Sequence, residues 1–392
     1  MNHSASTFAP PRSVYVHVPF CKHRCGYCDF TVVEDRLDLE SSFLRAIETE
    51  LAGIESPHPV DTIFIGGGTP TEMSEQGIEK LLQLLDEWFP REQGGTQYEF
   101  SVEANPDGLT SEKVAILQDY GVNRLSLGAQ SFNDEKLKRL DRQHSAAQVA
   151  TSLKLAQENF AQVSLDLIFA APGESLASWQ SDLEAAIQSG VNHISTYGLT
   201  FEKGTSFWSQ MNHGTMHAVD ESLQREMYLL AVDTLTARDI DHRFDHYEVS
   251  NFARANTAAS NRCRHNEVYW TGGSWFAIGP GASRFVDGTR STNHRSTTAY
   301  LNRVLNGDSP IAESETLDRE MIARERLVFG LRRLEGINVA EFKDATGFDL
   351  QSLSGPAIDR FCDMGLLENV SGCLRLTRDG LLVSDSLWPE LL

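Results

Sequence analysis

Three of the six cysteines, Cys21, Cys25 and Cys28, fall within eight residues as Cys-x3-Cys-x2-Cys, while Cys263, Cys362 and Cys373 are scattered. Thiolates are preferred ligands of iron–sulfur clusters and of zinc, and spacing this tight lets one loop wrap a metal centre. In a 4Fe-4S cubane, three cysteines leave one iron without a protein ligand. That iron can chelate the amino and carboxylate groups of S-adenosylmethionine and reduce it to a radical. The same residues suit a zinc knot completed by His17 or His23, and the triplet alone leaves both readings open. It does not look like a disulfide framework, which points to a reducing cytoplasm.

Downstream polar residues extend the case. Gly66-Gly67-Gly68-Thr69-Pro70 lets backbone approach a small ligand and offers N–H groups to a carboxylate or phosphate, although a tight turn would use the same residues. Glu103 can accept hydrogen bonds from a ribose or an amino group. Gln130, Arg142 and Asp166 are ambiguous one by one.

What unites them is position. Apolar strands are expected at 14–18, 62–65, 100–103, 124–128, 164–169 and 193–199, with amphipathic helices after each of the first five. Consecutive β-then-α units imply a parallel sheet whose ligands gather at the strands' C-terminal ends. The cysteines, the glycine run, Glu103 and Gln130 all fall there. Beyond about residue 205 the pattern changes to a helix, a short strand and a loop-rich stretch with several Trp, Tyr and Gly. From about 313 it becomes three helices and a hairpin around Ser371-Gly372, a winged-helix pattern. The expected organisation is a disordered lead-in (1–12), a partial barrel (13–205), an extension (206–312) and a winged-helix-like domain (313–392).

Charge narrows the partners. The chain has 34 basic and 55 acidic residues, a net −21, which repels nucleic acid and anionic membranes. Asp359, Arg360 and Asp363 on the candidate recognition helix make groove binding a poor fit. No apolar run is long enough to span a bilayer, and the first residues lack a secretory signal pattern.

The motifs together resemble the radical-SAM family of oxygen-independent coproporphyrinogen III oxidases and their relatives, the HemW heme chaperones. The resemblance rests on Tyr15-Val16-His17-Val18-Pro19-Phe20-Cys21, Phe64 to Thr71, Gly128-Ala129-Gln130-Ser131-Phe132, Asp166-Leu167-Ile168, Tyr247 to Ala253 and Gly330 to Gly336. It implies an α/β fold, an open (β/α)6 partial TIM barrel with a C-terminal helical winged-helix-like domain. It also implies a 4Fe-4S cluster on Cys21, Cys25 and Cys28, with S-adenosylmethionine held by Tyr15, Gly67 and Glu103. In the oxidases a second S-adenosylmethionine lies at positions matching Tyr27, Gly68, Thr69, Gln130, Arg142 and Asp166, Tyr27 standing where the family usually has Phe.

Two features divide the family. Oxidases carry another cysteine two residues after the third, where this chain has Phe30. The stretch His265-Asn266-Glu267-Val268-Tyr269-Trp270 matches the HNxxYW signature of the chaperones. An imidazole is a natural axial ligand for heme iron, and Tyr and Trp can pack on a macrocycle, so His265 is the expected heme ligand. Many chaperones have Gly-Ala-His-Ser in the following loop; here Gly281-Ala282-Ser283-Arg284 lacks that histidine, leaving His294 or Cys263 as substitutes. The expected function is a cytoplasmic heme chaperone, monomer or dimer, passing heme to an acceptor protein that could be membrane-associated. The rival is oxidative decarboxylation of coproporphyrinogen III.

Overall fold

A computed structural model describes residues 9–91, 98–237, 243–255 and 260–392. The first half alternates strands and helices as the periodicity requires: β1 (Ser13–Val18), α1 (Glu40–Ala52), β2 (Thr62–Gly67), α2 (Glu75–Trp88), β3 (Glu99–Ala104), α3 (Ser111–Asp119) and β4 (Arg124–Gln130). Then come α4 (Asp134–Arg139), α5 (Ala146–Asn159), β5 (Gln162–Phe169), α6 (Leu176–Gln188) and β6 (His193–Gly198). Helix starts follow local chemistry. Thr110 caps α3 by accepting from Lys113 N, and Ser145 with Gln148 forms a capping box on α5.

β1 to β6 are parallel neighbours in order, the expected (β/α)6 core. After α7 (Ser206–Asn212) and α8 (Glu221–Leu235), β7 (Phe244–Glu248) and β8 (Asn251–Arg254) add an antiparallel hairpin beside β6. α9 (Arg264–Trp270) leads to β9 (Phe276–Ile278), which returns to lie parallel beside β1. The nine-stranded sheet runs β9-β1-β2-β3-β4-β5-β6-β8-β7, and no pairing joins its ends among the described residues. One sheet edge, β7, overlaps the short strand expected at 247–250, and the other, β9, comes from the stretch expected to be loop-rich. That stretch also supplies a small antiparallel sheet, β10 (Ser283–Val286), β11 (Thr289–Asn293) and β12 (Ile311–Thr316), with α10 (Thr297–Leu305) against α1.

The C-terminal region is α11 (Arg319–Leu331), β13 (Ile337–Asn338), α12 (Val339–Thr346), α13 (Leu350–Asp363), β14 (Leu367–Val370), β15 (Cys373–Leu376), α14 (Arg378–Leu382) and α15 (Ser384–Leu391). Ser371 and Gly372 both take positive φ (54° and 83°), the geometry of a two-residue hairpin turn. This unit has its own core around Leu327, Leu331, Phe342, Phe361 and Leu374, separate from the barrel core. It is tied to the barrel by Arg332–Glu248 (2.5 Å) and Arg378–Asp233 (2.7 Å).

Candidate functional site

The three cluster cysteines sit on one loop after β1, pinned from two sides. Phe20–Cys21 pairs with Val33–Glu34, and Cys28 N donates to Cys25 O. On the other side Phe207 N donates to Gly26 O, and a Cβ at Gly26 would lie 2.2 Å from the Phe207 ring. All three thiols line a cavity of about 390 Å³ at the C-terminal ends of the strands, together with Tyr27, Gly67, Gly68, Thr69, Glu103, Gln130, Arg142 and Asp166. Burial pushes the Cys21 thiol up to about 12 and raises Cys28. The donor set is all sulfur on a cavity wall, which fits a 4Fe-4S cluster. Both histidines considered as zinc partners are committed elsewhere: His17 to Tyr15 (3.0 Å) and Thr31 O (2.7 Å), and His23 to Glu34 (2.7 Å) and Asp141 (2.9 Å).

A chain of polar contacts joins two of the cysteines. Thr69 Oγ1 lies 3.7 Å from Cys21 Sγ and accepts from Asn105 Nδ2 at 2.9 Å. Arg142 Nη2 donates to Asn105 Oδ1 (2.7 Å) and Gly128 O (2.9 Å), and its Nη1 donates to Cys25 Sγ at 3.4 Å. Arg142 thus positions the cysteine loop over β3 and β4. Gln130, at the end of β4, takes φ +66° beside a break in the β4–β5 register, strain of the kind concentrated at ligand sites.

The glycine run works differently from expectation. Gly67 N donates to Glu103 Oε2 (3.0 Å), Gly68 N to Val18 O (2.8 Å) and Thr69 N to Phe20 O (2.7 Å). These N–H groups are spent within the fold. Close packing also demands glycine: Gly67 has φ +108°, and a Cβ there would lie 2.4 Å from the His17 ring.

Below this cavity a second one of about 200 Å³ fills the barrel interior, and Glu103, Ser126, Asp166 and Tyr197 line both. Burial and the neighbouring Asp166 push Glu103 up to about 8, against the Gly67 N–H that lowers it. Burial lifts Asp166 to about 6 despite hydrogen bonds from Ser195 and Ser126. Two carboxylates of weakened acidity thus face a space suited to a cationic ligand. Tyr15 lines the lower cavity, not the upper one, stacked on Phe64 with its hydroxyl on His17.

Asn105, Ser126 and Tyr197 were not singled out from the sequence. Asn105 lies two residues past Glu103, so the strand-end rule extends to it. Ser126 and Tyr197 lie on the polar, inward-facing alternation Arg124-Ser126-Gly128-Gln130 and His193-Ser195-Tyr197, which period-two counting detects.

The HNxxYW stretch is at the opposite end of the barrel. Glu99, the first residue of β3, accepts from Arg264 N (3.1 Å) and His265 N (2.9 Å) at the α9 N-terminus, where a carboxylate complements the helix dipole. Arg124, first in β4, donates to Asn261 O at 3.1 Å. His265 is 1% exposed, with Nδ1 on Thr62 Oγ1 (2.9 Å) and Nε2 on Tyr269 OH (2.8 Å). In this structure both ring nitrogens of His265, the expected heme ligand, are hydrogen-bonded, and burial lowers its pKa to about 3, keeping the ring neutral. A six-residue strand spans roughly 17 Å, so this floor is well removed from the cysteines. Cys263 is buried beside Glu99, and the backbone carbonyl of His294 accepts from Gly281 N near the cysteine loop; neither meets His265 as a second ligand.

The radical SAM superfamily matches residues 15–186, and the HemN C-terminal domain matches residues 317–383. The chain is 33% identical over 385 residues to "Heme chaperone HemW" of Bacillus subtilis, covering 97% of this chain and 99% of that protein. It is 34% identical over 393 residues to the protein of that name from Mycobacterium tuberculosis, covering 97% and 95%. Coproporphyrinogen III oxidase (HemN) of Escherichia coli, a radical SAM enzyme, superposes with a TM-score of 0.83 over 99% of this chain and 91% of that one, at 19% identity, a likeness of fold alone. By full-length identity, the chain belongs to the radical-SAM family, in the branch of the HemW heme chaperones.

Proposed function

We propose that the chain is a cytoplasmic heme chaperone that binds heme, carries a 4Fe-4S cluster and S-adenosylmethionine, and transfers heme to an acceptor protein. The observation that carries this reading is one-third identity along nearly the whole chain to proteins named heme chaperones. It is supported by Phe30, 58% exposed beside the cavity at the position where oxidases have a further cysteine. No described helix is long and apolar enough to cross a membrane.

Cys21, Cys25 and Cys28 would hold the cluster, and the residues around it suit S-adenosylmethionine, which together supply one-electron chemistry when bound. Glu103 and Asp166, on the cavity wall, would offer carboxyl groups to its positively charged or hydroxyl groups. Arg142 fixes the cysteine loop and offers a guanidinium, while Thr69, Gly67 and Gly68 form a close-fitting wall. Tyr27 and Gln130 line the same cavity, and Tyr15 shares the lower cavity with Glu103.

The test is anaerobic reconstitution, followed by iron analysis and hemin titration read by absorbance. The expected result is a cluster lost on Cys28→Ser and heme retained through gel filtration, then surrendered to a heme-free acceptor. A protein that retains no heme would overturn the reading.

A further inference from the structure

A third cavity, of about 390 Å³, lies where the barrel meets the C-terminal domain and shares only Tyr269 with the lower barrel cavity. α9 contributes Tyr269 and Trp270, the strands beyond it contribute Trp275 and Phe285, and α11 contributes Arg326 and Phe329. The barrel-side wall is a packed aromatic array: Tyr269 meets Trp275 edge to face at 4.7 Å, and Trp275 lies 5.7 Å from Phe285. Trp275 is anchored by its indole N–H on Ser283 O (2.7 Å). The opposite side is open, since Phe329 is 38% exposed.

Charge gives the cleft its selectivity. Arg290 is paired with Glu315 and Glu325, and Arg332 with Glu248. Arg326 is different: half-buried on the cleft wall, it has no hydrogen-bond or ion-pair partner among the described residues. Burial lowers its pKa; the cleft's carboxylate, Glu325, is held by Arg290 instead. Gly272 (φ +71°) keeps that wall low, because a Cβ there would lie 3.1 Å from the Arg326 side chain. A guanidinium left unpaired in an aromatic cleft calls for a ligand that brings a carboxylate on a flat apolar body.

We propose that this cleft seats the porphyrin, its macrocycle against Trp275 and Phe329 and a propionate on Arg326. The proposal rests on the heme-binding reading above and deepens it: the ring is recognised by aromatic faces and charge from two domains. His265 acts only as the buried post that holds Tyr269 in the wall.

The test titrates the full-length protein with metal-free protoporphyrin IX, its dimethyl ester and hemin, read by porphyrin fluorescence and absorbance. Arg326→Gln and Phe329→Ala should each weaken protoporphyrin IX binding about tenfold, and Lys154→Gln, on an exposed ion pair of α5, should not. Wild type should prefer the free acid over the ester. Arg326→Gln should lose that preference, and Arg326→Lys should recover part of it, showing that the fold is intact. Variants that bind like wild type, or a protein that takes hemin but not the metal-free ring, would overturn the cleft while leaving heme binding in place. A wild type that binds none of the three probes would overturn both.

Discussion

Glu103→Gln perturbs the point where the two barrel cavities meet, and it keeps an acceptor for the Gly67 N–H. In the wild type, burial and then Asp166 push this carboxyl from its ordinary 4.5 up to about 8. The folded value lies above the unfolded one, so the fold favours the neutral form. The stability it contributes is fully present below about pH 4.5 and is lost as pH rises through about 8. At 1.36 kcal/mol per pH unit the gap bounds the effect at about 5 kcal/mol; water in the cavities screens the charge, and about 2 kcal/mol is the realistic expectation. Urea unfolding of ligand-free protein at pH 5 and pH 8.5 reads it directly. Wild type should lose about 2 kcal/mol more than Glu103→Gln across that range. S-adenosylmethionine, carrying positive charge, should bind wild type more tightly as pH rises from 6.5 to 8.5. Its affinity for the variant should be flat and about tenfold weaker at the upper pH. Identical pH slopes in the two proteins would refute the buried-carboxylate argument.

Other perturbations separate the remaining parts. Cys28→Ser should drop reconstituted iron to background while protoporphyrin IX affinity stays within about twofold, because the porphyrin cleft and the cysteine loop are at opposite ends of the barrel. Arg142→Leu unties the cysteine loop from Asn105 and Gly128, so it should lower reconstituted iron and weaken S-adenosylmethionine about tenfold or more, read by iron analysis and calorimetry. His265→Ala leaves a buried void and takes a hydrogen-bond partner from Tyr269 and from Thr62, which keeps Ser13, and should cost about 2–3 kcal/mol in urea unfolding, with the heme absorbance spectrum unchanged; an altered spectrum would return His265 to the iron. Lys136 is fully buried between Glu174 (2.5 Å) and Asp182 (2.9 Å). Lys136→Met should therefore destabilise by about 3–5 kcal/mol, and a neutral result would show that the carboxylates find other partners.

The barrel was legible because each parallel strand carries its own apolar run and each helix its own apolar stripe, with a local cap at Thr110. The site residues were legible because strand-end position is a property of the local pattern. What stayed hidden depends on contacts across the chain. Nothing near Phe276 reveals that it will pair with Val14, more than 250 residues earlier. The spending of the Gly67, Gly68 and Thr69 N–H groups depends on where Val18, Phe20 and Glu103 come to rest. His265 shows the same limit most sharply: the local motif offered an imidazole beside two aromatics. Only the fold shows that Thr62 and Tyr269 take both nitrogens, and that the aromatics line a cleft with Arg326 instead.

The most direct measurement of the central claim pits the two branches of the family against each other in one preparation. Anaerobically reconstituted protein is incubated with coproporphyrinogen III, S-adenosylmethionine and a reductant, and a parallel sample is titrated with hemin. The account predicts stoichiometric heme binding and no protoporphyrinogen IX above the Cys28→Ser control. Steady protoporphyrinogen IX formation, absent from that control, would contradict it and make the chain an oxidase.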